Sequence, residues 1–466
     1  MNIHIKCLLS AIAFSLLFYS KSLGLNLFLI SILVVVLVTT VSKARPPAWE
    51  FASAYIITSF FVFLNPTGFT IFVHFMAFLV FVGKSISKES SLYISWLLGV
   101  INMMVASLAH LTIHHGDAPK ESKKLSPILW NRIKGGFAAL LLLLVFGLLY
   151  KNANPVFGNL LERINLDFIS FPWLFFTVLG YVVFLHLLRP YEALQLIEFD
   201  RSQGNVLEKP TELVLIGSKK ELQSENTLGG MVFFALNLLL VFFLITDIIY
   251  LLQENVLTNS DYSKSVHQGV YALLFSILCA IGLILYFFRG NLNFYGGNRR
   301  IKALTFLWIG LNVVLVAFTA YKNYAYVEAL GLTYKRIGVF VYLLLTLTGL
   351  LTAYIKVAKV RNFTFLVRTN IATVFGFLII SAAIPWNQTI THYNLGSIGN
   401  PDLEYLIHLG SNNSTALHRF LQEHPETIPP DSRKAIEEKY RSFVNEQYEK
   451  TWQEYSLDNL VNADSR

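Results

Sequence analysis

The stretch "EALGLTYKRIGVFVYLLLTLTGLLTAYIKV", residues 328–357, sets a polar turn directly against a long apolar run. From Ile337 to Ile355 every side chain is apolar, small or hydroxylic. Such a length matches the hydrocarbon thickness of a bilayer, and hydrocarbon offers no partner for an unpaired backbone amide, so the run must be a helix. Similar runs recur along the chain. Only 14% of residues are charged and 54% are hydrophobic, well away from the composition of water-soluble domains. The alternating pattern of an outer-membrane barrel is absent. The sequence therefore predicts an all-α, polytopic transmembrane helix bundle.

About twelve spans are expected, at roughly 4–20, 23–42, 49–64, 68–83, 92–113, 135–151, 171–189, 229–252, 267–288, 303–323, 335–357 and 367–384. The third and fourth share the tight turn "NPTG", Asn65 to Gly68. Residues 1–20 resemble a signal peptide, but no small-x-small site follows, so they read as an uncleaved first helix. Cys7 and Cys279 lie inside apolar runs, which excludes a disulfide framework and a thiolate metal cluster. From residue 385 hydrophobicity collapses into a soluble tail. Three parts follow: residues 1–128 with about five helices, 129–384 with about seven and a loop at 190–228, and the tail 385–466.

Charge divides along the same lines. The tail carries seven Lys/Arg against twelve Asp/Glu, a net of −5, which leaves +13 on the rest of a chain whose total is +8. The basic balance belongs to the membrane part, where anionic lipid and the positive-inside bias are its natural causes; nucleic acid is not expected as a partner. Cations after the fifth, seventh, ninth and eleventh spans, with Lys21 after the first, make nineteen on one face against eleven on the other. Alternation then puts both termini, and the acidic tail, outside the cytoplasm.

The tail reads as helices. Asn400 and Pro401 open one that Gly410 closes; Ser414 or Thr415 caps a second; Asp431 caps a third, with Ile436, Tyr440, Phe443 and Val444 at helical spacing. In the 190–228 loop, "TELVLIG" (Thr211–Gly217) could form a strand.

Several stretches carry a family resemblance: "NPVFGNLLERI" (154–164), "NRRIKALTFLWIGLNVVLVAF" (298–318), "LGLTYKRIGVFVYLLLTLTGLLTAYIKV" (330–357), "WNQTITHYNL" (386–395) and "DLEYLIHLG" (402–410). Over about residues 130–424 the chain resembles a bacterial family of polytopic membrane proteins labelled only as a domain of unknown function. The Gly-Leu-Thr turn followed by an arginine, and the later "HYNL", are its most specific features. The resemblance implies a multi-pass protein of the bacterial plasma (inner) membrane with an extramembrane C-terminal piece. It implies no activity, cofactor or catalytic residue.

Candidate chemistry is sparse. In "HLTIHHGD" (110–117), His110 and His114 share a helical face at the spacing of two-histidine metal sites, but the glutamate of the zinc-protease motif is missing. Asp247 in "FFLITDIIYLL" is the clearest intramembrane acid; such residues mark ion or proton paths, unless they reach headgroup water. "FRGNLNFYGGNRR" (288–300) has glycines, yet neither a Walker nor a Rossmann spacing, and reads as a turn facing anionic lipid. In the opening stretch, Lys335 and Arg336 oppose the positive-inside trend. Either they contact lipid phosphate or pair with Glu328, or Arg336 faces inward and holds an anionic group through its bidentate donors. Arg336, Glu328, Lys335 and Asp247 are thus the candidate ligand-binding residues, with no catalytic set. Two function classes follow: a permease-like or lipid- and anionic-ligand-binding protein, and a sensor or scaffold acting through the tail and the 190–228 loop. Membrane lipids and a protein bound to the tail are the expected partners, and no cofactor is.

Overall fold

The computed structural model describes residues 2–41, 48–113, 171–253, 279–399, 401–426 and 428–461, with scattered positions between. The chain is all-α and of the polytopic membrane type. Among the described residues six helices are long and apolar enough to cross a bilayer. These are α4 (Gly68–Ile86), α6 (Phe171–Leu188), α9 (Lys219–Gln253), α10 (Arg299–Leu330), α11 (Tyr334–Ala358) and α12 (Phe363–Ala382). The apolar helices α1 (Ile3–Phe18), α2 (Leu25–Val41), α3 (Trp49–Leu64) and α5 (Leu92–Ile113) precede or interleave with them. Of the expected span at 135–151 only scattered positions fall among the described residues, and of the span at 267–288 residues 267–275 and 278 lie outside them, while 279–287 is helical.

The chain divides into two compact units. In the first (residues 1–22, 32–44 and 100–192), α1 packs on α6. The contact uses what a membrane helix pair needs: a small residue for close approach and polar groups satisfied across the seam. A Cβ on Gly180 would stand 2.8 Å from Phe14, the Thr177 hydroxyl donates to Ser15 at 2.7 Å, and His4 bonds the Tyr181 hydroxyl at 2.7 Å.

The second unit holds residues 23–31, 45–99 and 193–466. Thr67 and Thr70 form a capping box that opens α4 after the "NPTG" turn. At its other end, Gly83 lies against the backbone of Ser95, and a Cβ there would fall within 1.8 Å of the Ser95 carbonyl. The apolar centre joins α9, α10, α11 and the 279–287 helix through Phe233, Phe287, Trp308 and Leu350. Asn237, buried in that centre, donates to the Leu304 carbonyl at 2.9 Å and ties α9 to α10.

The less apolar part of the unit departs from several sequence expectations. "TELVLIG" is not a strand: residues Glu212–Gly217 form α8, following the short α7 (Leu194–Ser202) and running almost directly into α9. A lone strand would leave its amides unpaired, whereas a helical turn satisfies its own. In the tail, α13 (Trp386–Ser397) is followed by α14 (Leu403–Ile407), α15 (Ser414–Glu423), α16 (Pro430–Glu449) and α17 (Leu457–Val461). Asp402 caps α14, accepting from the Tyr405 amide at 3.0 Å, and Asn400 lies outside the described residues. Ser414 is the first helical residue of α15, because a 3₁₀ turn at Ser411–Asn413 leads into it. Asp431 sits inside the first turn of α16, behind Pro430, where its charge still suits the helix dipole. The tail core is Ile390, Leu406, Leu417, Leu421 and Ile436, and it reaches Ile337 in the first turn of α11.

Loop alternation is also corrected. Asn65 of the "NPTG" turn bonds Asn412 of the tail, and the Leu25 amide donates to Tyr455 at 2.8 Å. Residues 87–91 instead meet Asp200 in the 190–228 loop. A count of twelve alternating spans places those three turns at the opposite ends. Apolar run length does not report the parity of crossings, and one error reverses every loop on one side of it.

Candidate functional site

The polar turn of the opening stretch is shorter than its composition implies. Tyr324 to Leu330 continue α10, and only residues 331–333 separate it from α11. Gly331 ends α10 at φ +86°, a left-handed conformation that glycine adopts without strain. Thr333 then caps α11, accepting from the Arg336 amide.

Arg336 is committed within this turn. Its guanidinium donates to the Leu330 carbonyl at 2.9 Å and to the Gly331 carbonyl, and lies 4.0 Å from the centroid of the Tyr326 ring. These are carbonyls that a helix C-terminus leaves unsatisfied, so the cation meets both the orphan acceptors and the negative end of the dipole. Glu328 accepts from the Tyr324 hydroxyl at 2.8 Å, one turn away on the exposed face of α10. Lys335 is exposed.

The "GLT" and "HYNL" features, distant in sequence, meet in space. The Asn394 side chain accepts from the Leu332 amide at 2.6 Å and donates to the Leu332 carbonyl at 2.9 Å. Around it runs a ladder of amides and hydroxyls. Tyr334 donates its hydroxyl to Asn387 at 2.6 Å, Asn387 donates to Asn412 at 2.7 Å, and Asn412 donates to Asn65. The Tyr334 amide donates to the Tyr405 hydroxyl at 2.9 Å. Asn413, fully buried, donates to Thr391 and to the Leu406 carbonyl. Lys439 of α16 closes the far side with bonds to the Ile407 and Leu409 carbonyls, both at 2.8 Å. Burial pulls its ammonium down to about 8. The arrangement is a keyed joint between tail and bundle.

At the other end of α11 and α12 lies a second polar cluster. Asp200 on α7 is 2% exposed. It accepts from the Ser91 amide at 2.6 Å, the Ser91 hydroxyl at 2.8 Å, the Tyr93 hydroxyl at 3.2 Å and Arg368 at 2.9 Å. Burial opposes its ionisation, but the bonds from Ser91 and Arg368 outweigh it and hold the carboxyl below the usual range. Beside it the chain between α7 and α8 pairs with the α11–α12 turn: Val206 bridges Arg361, and the Asn362 side chain donates to the Gly204 carbonyl at 2.5 Å. Sequence reading passed over Asp200 because an acid in a polar loop looks solvated; no local signal marked its partners.

Asp247 has a partner that the sequence did not reveal. Lys322 of α10 donates to it at 2.5 Å, with side chains 14% and 22% exposed. Lys322 is eight residues from the end of α10, about 12 Å along the helix, which puts the pair at the tail-side edge of the apolar window. The structure does not bring the four candidate residues together: Asp247 pairs with Lys322, Arg336 with the turn carbonyls and Glu328 with Tyr324, while Lys335 is exposed. His110 lies on α5, and His114, His115 and Asp117 fall outside the described residues.

A family model described as a domain of unknown function (DUF4153) matches residues 6–420. The match reaches through the first helices, which the sequence motifs alone had left out of the resemblance, and stops inside α15. Neither a curated protein nor a solved structure matches the chain.

Proposed function

We propose that this chain, which belongs to the family described as a domain of unknown function (DUF4153), is a membrane sensor or scaffold that couples its helical tail to the 190–228 loop. One observation carries the reading. The α11–α12 hairpin is gripped at both ends: Asn394 of the tail holds Leu332 before α11, while Asp200 and residues 204–206 hold Arg368, Asn362 and Arg361 where α11 turns into α12. α12 also leads into the tail after three residues. A helix pair held this way transmits a displacement at one end to the other, because packed helices move as rigid elements.

The membrane is that of a bacterial cytoplasm in this reading, with the tail outside. Lys88, Arg201, Arg289, Arg299 and Arg361 gather at the Asp200 end, which the positive-inside rule assigns to the cytoplasm. Membrane lipid covers the exposed apolar faces, and the tail takes a partner from the other side.

A second reading is favoured by the Asp247–Lys322 pair. An ion pair kept between apolar helices is costly, and such pairs line the paths of permeases. Here Asp247, with Arg336, Glu328 and Lys335, would serve an anionic ligand near the tail end.

Hydrogen exchange on the full chain in lipid nanodiscs separates these. Truncation after residue 385, or Asn394→Ala, is expected to raise exchange in residues 203–210 and leave α9 and α10 protected. Exchange at 203–210 that is blind to both changes would remove the coupling.

A further inference from the structure

The tail holds a cleft beside the joint to the bundle, sharing only Asn412 with the ladder described above. Its volume is about 560 Å³, inside the roughly 300–1,000 Å³ common for small-molecule sites. α13 presents Gln388 and His392 to it, one turn apart; α15 presents Thr415, Arg419 and Glu423, again at four-residue steps; Asp458 of α17 also lines it. Two helix faces therefore look at each other across a polar gap.

The charges are available. Arg419 and Glu423 are exposed, and among the described residues neither has a hydrogen-bond or ion-pair partner. Arg336, Arg368 and Arg433, by contrast, are each bonded to carbonyl or carboxylate oxygens. Arg419 and Glu423 stand one helical turn apart, a Cβ separation of about 5–6 Å. Opposite charges at that spacing weaken each other's hold on a simple anion or cation. They reinforce each other for a ligand that carries both signs. Two acids in the wall also disfavour a phosphorylated ligand. Apolar contact is provided by Leu395, Phe420 and Leu457. A second cavity of about 500 Å³ shares Leu395, Phe420 and His424 and lengthens the groove, which suits an extended chain better than a single amino acid.

We propose that this cleft binds a short peptide with free termini, its carboxylate on Arg419 and its ammonium group between Glu423 and Asp458. Guanidinium takes a carboxylate through two parallel bonds, and the ammonium has acceptors one turn away. Burial raises the Asp458 carboxyl, against the pull of Lys450, so a bound cation there would favour its charged form. The proposal rests on the sensor reading only for its consequence, since it would supply the signal that the joint transmits.

Calorimetric titration of the full chain in nanodiscs with trialanine, trialanine amide and N-acetyl-trialanine tests it. Trialanine is expected to bind. Amidation and Arg419→Ala should each weaken binding tenfold or more, with little further loss when combined, and Arg419→Lys should retain part of the affinity. N-acetylation should be matched in the same way by Glu423→Gln with Asp458→Asn. No binding of trialanine, or equal binding of the capped peptides, overturns the site. Binding that leaves exchange at 203–210 unchanged upholds the site and overturns the coupling instead.

Discussion

The Asn394 side chain grips the backbone of Leu332 in both directions, as a neighbouring strand would, across 62 residues of sequence. Asn102 does the same to Tyr191 in the other unit, accepting at 2.7 Å and donating at 3.1 Å. The device fixes an irregular segment whose amide and carbonyl have no helical partner. In the 331–333 turn it also explains the glycine: a Cβ on Gly331 would stand 2.6 Å from Asn394 Oδ1.

Asn394→Ala removes both bonds and leaves the Leu332 groups unpaired, at a cost of about 2–3 kcal/mol. Asn394→Asp keeps the shape but sets an acceptor against the Leu332 carbonyl, and should cost at least as much. Thermal melting in detergent, read with protease release of the tail, measures both. An Asp variant that melts like the parent would show that the grip contributes nothing.

Arg336→Ala strips the end of α10 of its cap and Tyr326 of its cation, so a loss of about 1–3 kcal/mol is expected. Lys335→Ala, on the exposed face, should stay within about 0.5 kcal/mol. A ligand role for Arg336 predicts the reverse pattern: unchanged melting with loss of binding. Melting curves of the two variants decide between them.

Asp200 gives the loop end a dependence on acid. Its folded carboxyl lies below its unfolded value, so its contribution is complete above the unfolded value, near pH 4, and disappears as pH falls through the folded one. Asp200→Asn removes it at every pH and leaves Arg368 without its charge partner, at about 3 kcal/mol. Limited proteolysis of residues 203–211 should show the parent approaching the variant only in acid. Parallel profiles across pH would contradict the assignment.

Asp247→Asn leaves Lys322 charged between apolar helices and should cost about 3 kcal/mol, as should Lys322→Met in the opposite sense. The double variant should recover most of that loss, because no charge is stranded. A double-mutant cycle by melting temperature reads the coupling directly; strict additivity would mean that the two side chains do not depend on each other.

Much of the membrane architecture was legible in order along the chain. The run from Ile337 to Ile355 announces α11 because the bilayer selects for length and apolarity, and both are local. Helix ends were less legible: α10 continues past its apolar window to Leu330, and α9 begins at Lys219, ten residues before its apolar part. Backbone hydrogen bonds carry a helix into water where hydropathy falls. Arg336 was visible as a charge in the wrong place, but its role as a cap needed the positions of two carbonyls. Asp200 gave no signal at all, since its donors come from α12 and from the segment that opens α5.

Composition and pattern alone establish a helical membrane protein with an acidic helical tail, and they mark the "GLT" turn and "HYNL" as distinctive. Packing makes these two features one joint, sets Asp247 against Lys322 and brings the "NPTG" turn to the tail. The physical reason is the same in each case. A bilayer imposes hydrophobicity on each segment separately, whereas a polar group in or beside it is satisfied by whichever distant segment packing delivers.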